Sequence, residues 1–343
     1  MKCIAVAVVL LASARGYAEP AIPRLAVELE LFTDAAWVRR DGPDLTQFRL
    51  DRGEVGATVG LGPQAGSELR LESLRSAAEG GALGIGGDSI VVRVKRAQVF
   101  GHVELGDVRL DGAAGITADP WLAEVENGYT LRPLSATGSE RLLGWPTSDL
   151  AAVARASYGP VRLDVSFGNG EGLRYPERNN GKTTTAVFEV RPFVTREVRV
   201  AVMGRDGSIG PALVRERRVG ASAMFGSDEG RVGLEVVRAW GIGDRGDLVG
   251  TVLAGWGEVQ PIDHLFVAAR GATIGFDAGG RSTTVGGAVA VEPWHDHAAR
   301  LRVWLAIDHT SSSGAAMPLP GADPGTATTV MLIASTTAPF TVD

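Results

Sequence analysis

Apolar and polar residues alternate with a period of two along most of this chain. From Leu25 to Leu31 every second residue is apolar, and most residues between them are charged. The same alternation occurs over residues 161–167 and 301–308. A period of two predicts β-strands whose two faces meet different surroundings. We therefore predict an all-β protein.

The alternation predicts about sixteen strands, with bounds uncertain by about two to four residues. The predicted strands are 24–33, 47–61, 67–74, 89–105, 107–111, 148–158, 161–168, 183–193, 196–204, 216–226, 231–239, 247–257, 264–275, 283–292, 299–309 and 327–340. An even number of antiparallel strands places both ends of the chain on the same side.

The connections between these strands are alternately short and long. Gly106-Asp107, Gly159-Pro160 and 227–230 are tight and consist largely of turn-forming residues. The longer connections are 34–46, 75–88, 112–147, 169–182, 205–215 and 310–326. This rhythm is typical of a transmembrane antiparallel β-barrel with short periplasmic turns and long extracellular loops. A secreted soluble β-sandwich that binds carbohydrate is the alternative fold, although so many strands would normally need a domain break.

Aromatic residues give weaker support for a membrane barrel. Six of them lie near predicted strand ends, where aromatic girdles form at the membrane interfaces. They are Phe32, Trp37, Trp240, Trp256, Trp294 and Trp304.

The first 18 residues have the features of a cleaved secretory signal. Lys2 is followed by an apolar run over residues 4–12, and Ala18 ends a stretch of small residues. The run is far shorter than the ~20 residues that a spanning helix needs. Cleavage would remove Cys3, the only cysteine, and leave a barrel of residues 19–343 in the outer membrane of a Gram-negative bacterium.

Composition and local motifs argue against several other functions. The formal charge of -6 does not favour a nucleic-acid partner, which needs a basic face. His295 and His297 could supply two metal ligands, but no third partner is evident. No local motif marks a catalytic nucleophile, so we expect no enzyme activity, catalytic residue, metal or cofactor.

Two stretches carry a resemblance to a known family. The first comprises 94–101, 108–110 and 115–121, and the second comprises 164–172, 177, 179–182 and 190–192. They resemble the outer-membrane porins related to the phosphate-selective porins of Gram-negative bacteria. The resemblance implies a sixteen-stranded, trimeric diffusion channel whose third extracellular loop, here 112–147, folds into the lumen and sets the constriction.

An aqueous pore would select solutes by charges at its narrowest point. Acidic candidates on the predicted loop are Asp119, Glu124, Glu126 and Glu140. Basic candidates on the predicted strands are Arg93, Lys95, Arg96, Arg109, Arg162, Arg199 and Arg302. Together they suggest a general or weakly anion-preferring porin for small hydrophilic solutes, surrounded by outer-membrane lipid.

Two questions stay open at this point. After the leader the chain contains only two lysines, Lys95 and Lys182. Phosphate-selective members of the family are expected to line the channel with lysines as well as arginines. A structural or adhesive surface barrel with a closed lumen is the alternative function.

Overall fold

A computed structural model describes residues 24–41, 44–75, 90–170, 172, 180–193, 197–227, 229–243, 245–295, 299–314 and 325–342. The predicted leader, residues 1–18, lies outside the described residues. The described residues form sixteen strands and two helices. These are β1 Arg24–Arg40, β2 Leu45–Gly60, β3 Ala65–Arg75, β4 Ile90–Leu105, β5 Val108–Ala118, α1 Pro120–Gly128, α2 Gly138–Leu143, β6 Ser148–Tyr158, β7 Val161–Gly168, β8 Thr183–Val190, β9 Glu197–Ile209, β10 Val214–Ser227, β11 Gly230–Ile242, β12 Arg245–Ile262, β13 Leu265–Phe276, β14 Arg281–His295, β15 Arg300–Ser313 and β16 Gly325–Val342.

The strands close into a single antiparallel barrel. Each strand pairs with its neighbours in sequence, and β1 pairs with β16 from Leu25 opposite Val342 to Arg40 opposite Ala327. Closure leaves no unpaired sheet edge. The barrel fold and the number of strands are therefore confirmed, and the two-sheet sandwich alternative is wrong.

The two faces of the sheet differ as the alternation predicts. On β11, Val232 and Leu234 are exposed on the outer surface, whereas Glu235, Val237 and Ala239 are buried inside. Neighbouring strands repeat this arrangement, because residues that are opposite in the ladders share one face. The outer surface is consequently apolar along its middle, and charged side chains collect in the interior.

The strands are longer than predicted at one end of the barrel. β1 continues to Arg40 and β2 begins at Leu45, so four residues separate them where the predicted loop was 34–46. β9 continues to Ile209, and residues 210–213 form a tight connection where the predicted loop was 205–215. β5 continues to Ala118, so the predicted loop 112–147 begins seven residues later. Most residues in these strand extensions are small or polar on both faces, which weakens the period-two contrast while the backbone ladder continues.

The expectation of an aromatic girdle is only partly supported. Trp37 and Trp294 are 41% and 62% exposed on the outer surface. Phe32 and Trp304, however, point inward and are almost completely buried, and Trp256 also faces the interior. Among the described residues, neither helix has the length and apolar character required to cross a membrane.

Gly115 on β5 should be intolerant of any side chain. Its φ is +123°, and a Cβ atom there would lie 2.3 Å from the carbonyl oxygen of Ala97 on β4. We expect Gly115→Ala to lower the free energy of unfolding by about 1–3 kcal/mol, measured by urea unfolding in detergent. Gly271→Ala is the control, since the nearest atom to its Cβ is 3.9 Å away. Equal stability of the two variants would contradict this account.

Candidate functional site in the barrel lumen

The connection between β5 and β6, residues 119–147, lies inside the barrel and is called the inserted segment below. Asp119 begins α1, because its carboxylate accepts hydrogen bonds from the backbone N–H groups of Trp121 (3.0 Å) and Leu122 (3.2 Å). Thr137 caps α2 in the same way, and Gly144 ends that helix in the left-handed conformation. These caps make the inserted segment an ordered element within the lumen.

Two apolar clusters attach the inserted segment to the inner wall formed by β8 to β16. The first cluster joins the segment's Trp121, Leu122, Leu142, Leu143 and Trp145 to wall residues that include Val187, Met203, Val237, Ile242 and Ile274. The second joins Tyr129, Leu131 and Leu134 to Phe266, Trp304, Met331, Ile333 and several alanines. Each fully buried large apolar side chain contributes about 1.5–3 kcal/mol. The small wall alanines leave room for the segment.

Polar contacts fix the orientation of the inserted segment. Glu235 on β11 accepts hydrogen bonds from the Ser139 backbone N–H (3.3 Å) and from the Trp121 indole N–H (3.2 Å). Asp119 accepts from the Trp145 indole N–H (3.2 Å) and from Nη1 of Arg205 on β9 (3.0 Å). A buried carboxylate needs such partners to offset its lost hydration.

The opposite wall, β2 to β4, carries a network of paired charges. Lys95 Nζ lies 2.6 Å from Glu54 Oε1 and is 5% exposed. Arg93 lies 2.5 Å from Glu72, and Arg96 lies 3.5 Å from Glu68. Arg52 and Arg70 bridge the same acids, and Arg70 also reaches Glu28 at 2.5 Å. Basic and acidic groups are nearly equal in number, so this wall has little net charge.

A register shift allows Lys95 and Arg96 to face the same cavity. On β3, Arg70 is opposite Arg96 and the next residue, Leu71, is opposite Val94, which leaves Lys95 as an extra residue. A bulge of this kind turns two consecutive side chains towards one face. Strict alternation would have placed one of them outside.

A third group of charges connects the inserted segment to β7 and β8. Arg162 contacts Glu124 on α1 and lies 2.8 Å from Glu189. Burial raises the pKa of the Glu124 carboxyl, and its contact with Glu189 raises it further. Arg155, on β6, pairs with Asp164 through two hydrogen bonds of 2.7 and 3.0 Å.

Two water-accessible cavities flank the inserted segment. The first, called the gap, has a volume of about 440 Å³ and is lined by Glu30, Glu54, Arg70, Lys95, Arg96, Glu124, Glu126, Arg132, Arg155 and Arg162 among others. The second, called the vestibule, has a volume of about 760 Å³. Its lining includes Glu229, Asp263 and His264 at the barrel end with tight turns.

The structure brings five of the predicted candidates together at the gap. Lys95, Arg96 and Arg162 line its wall side, and Glu124 and Glu126 line its segment side. Arg93 lies on the same wall and pairs with Glu72.

The remaining candidates lie elsewhere. Asp119 anchors the segment, and Glu140 lies 3.5 Å from Arg132. Arg109 lies by the turn at 106–107, where it pairs with Asp111 at 2.9 Å. Arg199 lines a separate small cavity of about 50 Å³. Arg302 lines the vestibule and stacks 3.6 Å from the ring centre of Phe266.

Several gap residues were missed by the sequence analysis. Glu54, Arg70 and Arg155 occupy the inward parity of their strands, so the parity rule used for Arg162 could have found them. Arg132 lies in the inserted segment, where no strand periodicity exists to place it.

Loss of the Asp119 carboxylate should loosen the inserted segment. Asp119→Ala removes the α1 cap and leaves Arg205 in the interior without one of its two paired acids. We expect the free energy of unfolding to fall by about 2–4 kcal/mol. We also expect faster protease cleavage within residues 119–147. Asp111→Ala, beside the exposed Arg109, is the control and should leave cleavage unchanged. Cleavage as slow as in the parent would show that Asp119 is not an anchor.

Comparison with known proteins identifies similar folds but no family. No protein-family model and no curated protein matches the chain. The anion-selective porin from Comamonas acidovorans is 10% identical with a TM-score of 0.65, covering 93% of this chain and 100% of that one. Salmonella typhi OmpF in complex with daunomycin is 12% identical with a TM-score of 0.63, covering 92% and 97%. The trimer form of OmpT, an outer membrane protein of Vibrio cholerae, is 11% identical with a TM-score of 0.61, covering 93% and 100%. Identities this low show a shared fold alone, that of outer-membrane β-barrels.

Proposed function

We propose that this protein is a porin, which forms a passive channel for small hydrophilic solutes across the outer membrane of a Gram-negative bacterium. The observation that carries the proposal is a closed barrel with an apolar outer surface and two charged cavities inside. An apolar band suits the lipid, and charged walls suit water and ions. Cavities of about 440 and 760 Å³ hold many water molecules at about 30 Å³ each.

The inserted segment is the constriction in this proposal. It occupies the lumen against β8 to β16 and leaves the gap on the side of the charged wall. Lumen selectivity then depends on the groups that line the gap. The gap lining contains six basic and four acidic side chains, which favours a weak preference for anions. Because most of these cations are already paired with acids, we propose no specificity for phosphate.

Membrane location and assembly are part of the same proposal. A leader of 18 residues would direct export of the chain across the inner membrane. The apolar outer surface of the barrel would then contact the lipid of the outer membrane. A homotrimer is the proposed assembly, supported by the similar fold of Vibrio cholerae OmpT in its trimer form.

Removing the inserted segment should open the channel. Ala118 and Ser148 are directly opposite in the β5–β6 ladder, so an Asn-Gly turn can replace residues 119–147. We expect single-channel conductance in a planar bilayer to increase severalfold over the parent, because the lumen of sixteen strands is wide. Replacing residues 211–212 by Asn-Gly, in a connection outside the lumen, is the control.

The same experiment tests the closed-barrel alternative, which the dense packing of the inserted segment favours. A silent parent protein and a conducting deletion variant would support a plugged barrel. Equal conductance of parent and deletion variant would show that the segment is not the constriction.

Neutralising the basic residues of β4 should change ion preference. In the Arg93→Gln, Lys95→Gln, Arg96→Gln variant, Glu54, Glu68 and Glu72 lose partners, so the wall becomes acidic. We expect the reversal potential across a KCl gradient to move towards cation preference. Heat-modifiable migration in detergent gels would verify folding.

The matched control for this variant removes three solvent-accessible cations that pair with aspartates rather than with glutamates. They are Arg215, Arg238 and Arg245, each changed to Gln. An unchanged reversal potential in the β4 variant would show that Arg93, Lys95 and Arg96 do not contribute to ion selectivity.

A further inference from the structure

Arg132 belongs to the linings of both the gap and the vestibule. Glu30 and Glu126 are also common to the two linings, whereas the other basic residues of each cavity are absent from the lining of the other. The two cavities therefore adjoin at Arg132 and these two acids. A solute that crossed from one cavity to the other would pass these three residues, and this crossing point is called the passage below.

The backbone holds Arg132 firmly at this passage. Leu131 is fully buried in the second apolar cluster, and Leu134 is 8% exposed there. The backbone N–H groups of Leu134 and Ser135 donate to the Leu131 carbonyl oxygen at 2.9 and 3.1 Å. Arg132 therefore projects from a turn that is anchored on both sides.

Charges around Arg132 keep its guanidinium in the passage. It contacts Glu126, and its Nη1 lies 3.5 Å from Glu140 Oε2. Its side chain is 14% exposed, whereas its Nη1 and Nη2 atoms are themselves buried. The guanidinium therefore acts on a solute in the cavities through its charge rather than through direct contact. A guanidinium stays protonated at all physiological pH values, whereas acids can titrate.

The two cavities also differ in charge, which gives the passage a role in selection. The gap lining has more basic than acidic groups, whereas the vestibule lining includes six acids and four arginines. Arg132 lies where these two regions meet. Its charge therefore acts on an ion between a lining with more basic groups and a lining with more acidic groups.

We propose that Arg132 is a specificity-determining residue, a fixed cation on the inserted segment that sets the ionic preference of the passage between the two cavities. The inference rests on the proposed channel function and adds to it. The charged wall and the acidic segment were expected from the sequence, whereas a basic residue of the segment was not among the candidates.

The test changes the charge of residue 132 in an already folded channel. Cys3 is the only native cysteine, so Arg132→Cys in a Cys3→Ser background offers one thiol to reagents added to the reconstituted channel. A methanethiosulfonate that carries an ammonium group restores the positive charge, and one that carries a sulfonate adds a negative charge. Reversal potentials across a KCl gradient report the preference before and after each reagent.

We expect Arg132→Cys to change the anion-to-cation permeability ratio by about twofold towards cations, since one unit charge acts over a few ångströms of water. The ammonium reagent should return the ratio to the parent value, and the sulfonate reagent should move it further towards cations. In the control Arg215→Cys, at an exposed outer position, neither reagent should change the permeability ratio.

The outcomes separate the inference from the proposed function. A parent protein without conductance would overturn the porin proposal itself. If the parent conducts, two results would overturn the role of Arg132 alone. One is that Arg132→Cys has the same permeability ratio as the parent, and the other is that the variant has the same ratio after either reagent.

Loss of heat-modifiable migration would show that Arg132→Cys does not fold. In that case a second variant tests the inference. Arg132→Lys keeps the charge, so it should keep the parent permeability ratio within the error of the measurement. A ratio shifted towards cations in this variant would show that shape rather than charge matters, and would overturn the inference.

Discussion

Closure of the sheet between β1 and β16 is the constraint on which the rest of the structure depends. Inside a bilayer no water is available to hydrogen-bond a free strand edge, and each unpaired backbone group would cost several kcal/mol. The sixteen residue pairs of the β1–β16 ladder remove that edge. Closure also creates the enclosed lumen, in which any selection of solutes must take place.

The lumen is chemically divided into two halves. From β8 to β16 much of the inner wall is apolar and rich in alanine, and it holds the inserted segment through two apolar clusters. From β2 to β7 the inner wall is charged, and the open gap lies beside it. The position of the gap follows from this division, because the segment packs where burial of apolar surface is most favourable.

Paired charges explain how so many ionisable groups are tolerated inside the barrel. Lys95 with Glu54 and Arg205 with Asp119 are almost completely buried, and each charge has an opposite partner within 3.0 Å. Such pairs offset the cost of desolvation but cancel much of each other's field. A count of arginines therefore overstates the positive charge of the lumen, and the excess at the gap is small.

Period-two alternation together with the rhythm of short and long connections determined the barrel, and the alternation determined the inward parity of Arg162 and Arg302. It also placed Trp304 on the same parity as Arg302, against the expectation of a girdle. Tertiary structure alone decided which arginines meet at the gap, since Arg109 and Arg162 look alike in sequence but lie beside different neighbours. The same is true of Lys95 and Arg96, which share a cavity only because of a bulge, and of Arg132, which lies in a segment without strand periodicity. A local pattern fixes the direction of a side chain from its own strand, whereas its neighbours across the lumen depend on barrel closure and on how the inserted segment packs.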